Sequence, residues 1–295
     1  MEVVAAAVAA AAVEGAVDNL DFNLGLGAGW RPELAMHIER RNDLGFVEIV
    51  ADNHFLDCEM KKPFYYLKEK GLKVVVHSVG LSLGGAQLPD DEYLDELNRV
   101  SEIYGGVLFS EHIAFVRSRS KEAGHLLPVK RDEETLKILI ENINYASSKL
   151  SRPLVLENIA SFVEWPGNSI EEPEFLSKIL QETDCGLLLD ISNLYANSVN
   201  NRFDPLEYFD RLPLSKIAYM HIAGGVKAKG LYHDTHCHAL SSPVLSLLEE
   251  ICCRLDNPCV LLERDDLFPT QKEFFTELDL IKDAMVNSKE VVHAR

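Results

Sequence analysis

The chain lacks the paired-cysteine spacing of a metal or redox motif. Its six, Cys58, Cys185, Cys237, Cys252, Cys253 and Cys259, form no CxxC motif. In a chain of 295 residues that spacing excludes a disulfide-stapled scaffold and a zinc ribbon, and it reads as reduced thiols of a cytoplasmic protein. Cys237 stands apart only because it lies between His236 and His238. Positive charge is also scarce. Against 47 acidic residues there are 29 Lys and Arg, for a net charge of −18. The densest basic stretch, VRSRSK at 116–121, is short and carries two serines. Such a surface repels phosphate backbones, so nucleic acid is excluded as a partner. No apolar run is long enough to cross a membrane. The alanine-rich start, MEVVAAAVAAAAVEGAVD, lacks the positive n-region of a secretory signal and carries Glu2, Glu14 and Asp18. Residues 1–20 are therefore expected to be a leader, disordered or loosely helical, and 21–290 the catalytic domain. There is no low-complexity linker and no repeat of 20–50 residues.

What is present is an alternation. Short β-branched or leucine-rich runs, such as FVEIV, KVVVHS, GVLFSEH, PLVLEN, CGLLLDIS, KIAYMHIAG and PCVLLERD, are separated by amphipathic stretches of helical length. The pattern recurs about eight times, which is the βα signature of a parallel sheet closed on itself. The predicted fold class is α/β, a single (β/α)8 TIM barrel, for which this length is ordinary. Strands are expected at 22–27, 46–50, 73–78, 106–112, 153–158, 185–192, 216–224 and over PCVLLERD. Helices are expected near 32–44, 61–70, 91–104, 132–150, 172–183, 205–211, 243–255 and 271–286. Asp90 and Asp132 are placed as N-caps. The long loop 113–131 is expected to be a mobile flap over the barrel mouth.

Nearly every strand ends in a metal-type side chain: His77, Glu111 and His112, Glu157, Asp190, His221, and Glu263, with Asp234 and His236 in the HDTHCH loop. One such histidine would mean little, because a lone His is more often a satisfied core residue. Several acids at one end of a barrel are costly to bury without compensation, and cations offset that cost. Imidazole with carboxylate suits Fe, Mn or Zn better than Ca or Mg. About eight candidate ligands exceed the needs of one ion and point to two or three. The competing structural reading is a hydrogen-bonded polar layer capping the barrel. Asn158, Asn193 and Arg264 lie beside the ligands. An Asn can ligate or orient a ligand, and Arg264 can neutralise acids or grip an anionic substrate group, or instead pair structurally with Asp265 or Asp266. Glu48, Asp52 and His54 are weaker candidates.

The segments HSVGLSLG, SEHIAF, LENIASF, DISNLYANSVN, HIAGG, HDTHCH and LLERDD together resemble the multinuclear non-heme iron-dependent oxidative enzymes, a family of xylose-isomerase-like TIM barrels. The resemblance runs from about Gly25 to the end of the last strand. It implies two or three irons, in mixed Fe(II)/Fe(III) states, with O2 as co-substrate. It places the metal ligands on His77, His112, Glu157, Asp190, His221, Asp234, His236 and Glu263, with Asn193 as a ligand or support. Glu157, Asp190, Asp234 and Arg264 would be the catalytic groups. It implies oxidation of cysteines in a ribosomally made precursor peptide, with a small partner protein that binds the peptide leader. The second strand end departs from the pattern. It reads EIVADNHF, with Val50 and Asp52 where relatives often carry a His–x–Glu–Asn stretch. The rival readings are a zinc or manganese hydrolase or sugar isomerase on the same barrel, and a catalytically silent, metal-loaded peptide-binding module. Endonuclease-like chemistry is disfavoured by the charge.

Overall fold

The computed structural model describes residues 23–56, 59–118 and 121–292. The leader expected at 1–20 lies outside the described residues, as does Cys58. Eight parallel strands close into a barrel: β1 (Leu26–Gly29), β2 (Phe46–Val50), β3 (Lys73–Ser78), β4 (Gly106–His112), β7 (Leu154–Glu157), β8 (Gly186–Asp190), β9 (Ile217–Ile222) and β12 (Val260–Leu262). Their order around the barrel follows the chain, and β12 returns to pair with β1. The helices are α1 (Ala35–Arg40), α2 (Lys62–Glu69), α3 (Asp91–Tyr104), α4 (Glu133–Lys149), α5 (Glu172–Glu182), α6 (Ile191–Asn201), α7 (Pro205–Phe209), α8 (Ser242–Cys252) and α9 (Gln271–Val292).

The (β/α)8 expectation holds, and its boundaries are close. Asp90 caps α3 by accepting from the backbone N–H groups of Glu92 and Tyr93. Asp132 caps α4 through Thr135 N–H. Three places differ. The first strand lies at 26–29 rather than 22–27. The stretch read as a flap over 113–131 forms an antiparallel hairpin, β5 (Ala114–Ser118) with β6 (Lys121–Pro128). The sixth strand ends at Asp190, because Ile191 and Ser192 open α6, a helix that the sequence reading did not include. A second hairpin, β10 (Gly225–Ala228) with β11 (Leu231–Asp234), follows β9. Gly224 lets the chain close back on this hairpin, since a Cβ there would sit 1.9 Å from the His238 carbonyl oxygen.

The core has two parts. A large apolar cluster fills the space between strands and helices. A smaller one plugs the barrel interior, and includes Phe46, Val75, Leu108, Val155, Leu188, Tyr219 and Leu261, one from each of seven strands. Side chains along a strand alternate faces, so the residue two positions on points inward again. Two positions on from these seven stand Glu48, His77, Ser110, Glu157, Asp190, His221 and Glu263. The barrel interior therefore changes from an apolar plug to a polar layer in one step along these seven of its eight strands, at the C-terminal end.

Candidate metal centre

All of that layer is buried. Glu48, His77, Ser110, Glu157, Asp190, His221 and Glu263 are each at most 6% exposed. His112, two residues beyond Ser110 on β4, joins them, also buried. Three groups of donor atoms form a chain across the mouth: His77, His112 and Glu157; then Glu157, Asp190 and His221; then Asp190, His236 and Glu263. Within each group the donor atoms lie within 4.8 Å of one another. Glu157 joins the first two groups. Its Oε2 lies 3.3 Å from His112 Nε2 and 3.8 Å from His77 Nε2. Its Oε1 lies 3.5 Å from His221 Nδ1.

Three of the four histidines turn one ring nitrogen towards these groups and have the other beside a different partner. His77 Nδ1 lies 2.9 Å from Ser110 Oγ. His112 Nδ1 lies 3.4 Å from Glu111 Oε1. His221 Nε2 lies 3.1 Å from Glu48, whose Oε2 also accepts from the Tyr219 hydroxyl at 2.6 Å. His236 differs, with Nδ1 3.0 Å from Asp265 Oδ2 and 3.2 Å from Glu263 Oε2, and Nε2 against Asp234. Carboxylates and hydroxyls in such positions fix the ring orientation and tautomer of a metal-binding imidazole. Glu48 forms a further group with His221 and Glu263. Its place on the Nε2 side of His221, away from the three acids at Nδ1, suits an orienting acceptor.

Asp190 is held from both sides. It is the N-cap of α6, with Oδ1 accepting from Asn193 N–H at 2.7 Å. Asn158 clamps its backbone, donating through Nδ2 to Asp190 O and accepting from Asp190 N–H through Oδ1. The Asn158 amide is thus engaged with the Asp190 main chain, while Asn193 Nδ2 donates to Asn158 O at 3.0 Å. Asp234 and Asn193 line the mouth cavity, and Asp234 falls outside the close donor groups among the described residues. Asp234 Oδ2 makes a short contact with His236 Nε2.

Electrostatics follow from this packing of acids against imidazoles. Burial would raise the Glu157 carboxyl, yet the charges of His112, His221 and His77 outweigh it and hold it at about 2. Burial would lower His112, but Glu157 and Glu111 push it up to about 9. Glu48, Glu157 and Glu263 hold His221 well above the usual imidazole range in spite of burial. Burial, together with the Asp234 and Glu157 charges, pushes Asp190 up to about 8. Without a cation the site balances itself with protons, and a bound metal would displace them. That balance is incomplete. Glu157 Oε2, Asp190 Oδ2, His221 Nδ1 and Asp234 Oδ1 are buried with no hydrogen-bond partner. Each such atom costs about 1–3 kcal/mol, which argues against a self-sufficient polar cap. The donor set, carboxylate and imidazole oxygens and nitrogens with no sulfur, fits borderline transition metals.

Above the layer lies a cavity of about 490 Å³ at the C-terminal ends of the strands, where barrel enzymes keep their active sites. Val50, Asn53, Val79 and Leu126 form part of its walls. Val50 thus contributes an apolar wall where the resemblance leads one to expect an imidazole.

Several sequence candidates lie elsewhere. Arg264 does not reach the cavity. It is buried against Glu277 of α9, with Nη2 at 2.7 Å from both carboxylate oxygens and Nε at 3.1 Å. This is neither the catalytic placement nor the pairing with Asp265 or Asp266. Alternation explains it: Leu261 and Glu263 face inward, so Arg264 faces out. Arg264→Met is accordingly expected to leave metal content unchanged while destabilising the fold by about 3–5 kcal/mol, through a stranded Glu277. Metal analysis with calorimetry checks this, and a lost ion would contradict it. His54 is turned into the core beside the Tyr104 hydroxyl at 2.8 Å. Asp52 accepts from the Tyr93 hydroxyl at 2.5 Å and from Val79 N–H. Cys237 Sγ lies 3.3 Å from His238 Nδ1. Sequence reasoning missed Arg31, whose only signal was a cation just past the end of the first strand; it lines the cavity and contacts Glu263.

Comparison with known proteins agrees with this geometry. Residues 25–286 match the family described as "RiPP precursor modification enzyme MbnB/TglH/ChrH". A UPF0276 protein of Streptomyces avermitilis is 42% identical over 266 residues, covering 88% of this chain and 54% of its own length. The chain thus spans about half of that relative. A UPF0276 protein of Bordetella bronchiseptica is 32% identical over 262 residues, covering 86% of this chain and 90% of its own. Among solved structures, a D-psicose 3-epimerase from Clostridium cellulolyticum H10 superposes with a TM-score of 0.55 at 11% identity, over 90% of this chain and 99% of that one. An L-ribulose 3-epimerase gives 0.56 at 12% identity, over 91% and 97%. At such identity these two show a shared (β/α)8 barrel fold and nothing more. No helix among the described residues is long and apolar enough to cross a membrane. The sequence match over most of the chain shows that it belongs to the MbnB/TglH/ChrH family of RiPP precursor modification enzymes.

Proposed function

We propose that this chain is an oxidative metalloenzyme that uses two or three iron ions and O2 to modify a cysteine in a ribosomally synthesised precursor peptide. The observation that carries this reading is the run of linked donor groups joined through Glu157. One carboxylate facing two groups suits adjacent ions rather than a single one. His77, His112 and Glu157 would hold one ion. Asp190, His221, His236 and Glu263, with Asp234 and Asn193 at the edge, would hold the others. When bound, iron supplies one-electron redox chemistry that carboxylates and imidazoles lack. The chain's own residues fix the spacing, keep each imidazole in one tautomer and exclude bulk water.

The cavity volume suits a side chain with its immediate neighbours in an extended peptide, not a folded domain. Exposed apolar side chains also stand in the loops that follow the strands, among them Phe162, Val163 and Trp165 after β7 and Leu267 after β12. They offer contacts to a peptide lying across the mouth. A small partner protein that binds the peptide leader completes the proposal, with a cytoplasmic location.

The test is metal content and absorption of protein purified without chelator, followed by O2 consumption with a cysteine-containing peptide after anaerobic Fe(II) loading. Two to three irons per chain, and O2 uptake that needs the cysteine, are expected. Zinc or manganese alone without O2 uptake would replace the reading with a hydrolase or isomerase. Bound iron without O2 uptake would leave a peptide-binding module.

A further inference from the structure

We infer that Arg31 and Asp265 form a positioning pair that seats His236 and Glu263 for metal binding. The inference rests on the metal reading above. Arg31 lies just past β1 and engages four of its five N–H donors. Nη1 donates to Trp30 O at 2.9 Å and Nε to Asp265 Oδ1 at 3.1 Å. Nη2 donates to Glu263 Oε1 at 3.2 Å and makes a second, short contact with Asp265 Oδ1. A single Nη1 N–H is left over, too little for the two-pronged grip on a substrate anion that arginine otherwise offers.

The pair acts on two ligands at once. Arg31 occupies Glu263 Oε1, so Oε2 alone faces His221 Nδ1 at 3.3 Å and His236 Nδ1 at 3.2 Å. Glu263 is thereby presented through one oxygen. Asp265, steadied by Arg31, accepts from His236 through its side chain at 3.0 Å and donates its backbone N–H to His236 O at 2.9 Å. His236 needs such support, because its backbone is left-handed, with φ of 53°. For a non-glycine residue that conformation costs on the order of 1 kcal/mol and persists where surroundings enforce it. The hold on Nδ1 turns His236 Nε2 towards Asp234. A planar fork that spans two carboxylates is particular to arginine. A lysine would supply the charge without the geometry.

The experiment compares wild type, Arg31→Gln, Arg31→Lys and Asp265→Asn for Fe(II) bound per chain under argon, and for Co(II) absorption as a spectroscopic probe. Arg31→Gln and Asp265→Asn are expected to weaken one metal equivalent about 10–100-fold. They should also change the Co(II) bands assigned to that equivalent, while the remaining equivalents and the thermal transition persist. Arg31→Lys should recover less than half of the lost affinity. Asp265 sits on the rim, so Asp265→Asn decides the matter if Arg31→Gln fails to fold. Wild-type affinity and unchanged Co(II) bands in folded Asp265→Asn would overturn the pairing while leaving the metal reading standing. A wild type that binds neither Fe(II) nor Co(II) would overturn both.

Discussion

Glu157→Gln is expected to remove more than one metal ion from the protein and to lower peptide-dependent O2 consumption by at least about 10²-fold, the upper range for disturbing even the supporting partners of a metal ligand. The reason is placement. One oxygen faces His77 and His112, the other faces His221, so a single substitution weakens two groups of donors. The amide keeps the size of the side chain and loses the charge, which separates ligation from packing. Metal analysis by mass spectrometry on folded protein reads the result. Full stoichiometry in Glu157→Gln would sink the bridging role.

The second large effect concerns the metal-free protein. His221 is fully buried, and its Nδ1 lies 3.3 Å from Glu263, 3.5 Å from Glu157 and 4.0 Å from Asp190. Without metal, its imidazolium is the shared counter-charge of Glu48, Glu157 and Glu263. His221→Ala in chelator-treated protein therefore leaves buried carboxylates uncompensated, at a cost of about 3–5 kcal/mol. For a chain of this size that corresponds to a fall in Tm of roughly 5–8 °C. Scanning calorimetry on the two metal-free proteins measures it. A Tm within about 2 °C of wild type would mean that the acids take up protons and need no imidazole.

Much of this site was legible in the sequence, for a physical reason. A carboxylate or imidazole straight after LVL, LLL or VVV is expensive unless something binds it, so Glu157, Asp190 and His77 announced themselves. The barrel followed from the alternation of buried runs and amphipathic stretches. Other features depended on parity or on distant partners. Glu263 and Arg264 are adjacent, yet only the inward-facing member of the two belongs to the cavity. Extending the period of two back to Leu261 would have separated them. Helix α6 was hidden because Asp190 ends a strand and caps a helix in the same residue, and ISNLYANSVN is rich in asparagine, a weak helix former. The hairpins β5–β6 and β10–β11 are short and depend on tertiary packing more than on local propensity. Arg31 carried little local signal beyond a cation past a strand end, because both of its carboxylate partners lie more than 200 positions away in the chain.

The shared duty of Asp190 separates two kinds of damage. Its Oδ1 closes the first turn of α6, while Oδ2 is buried and unpartnered at the mouth. A serine can take over the first task but brings no second oxygen. The helix and the ligand set can therefore be lost independently, although one side chain serves both. In a lineage that no longer needed a metal, this strand–helix junction could exchange its acid for a hydroxyl and remain a barrel. An inactive descendant of this chain would then carry its history as a single changed cap.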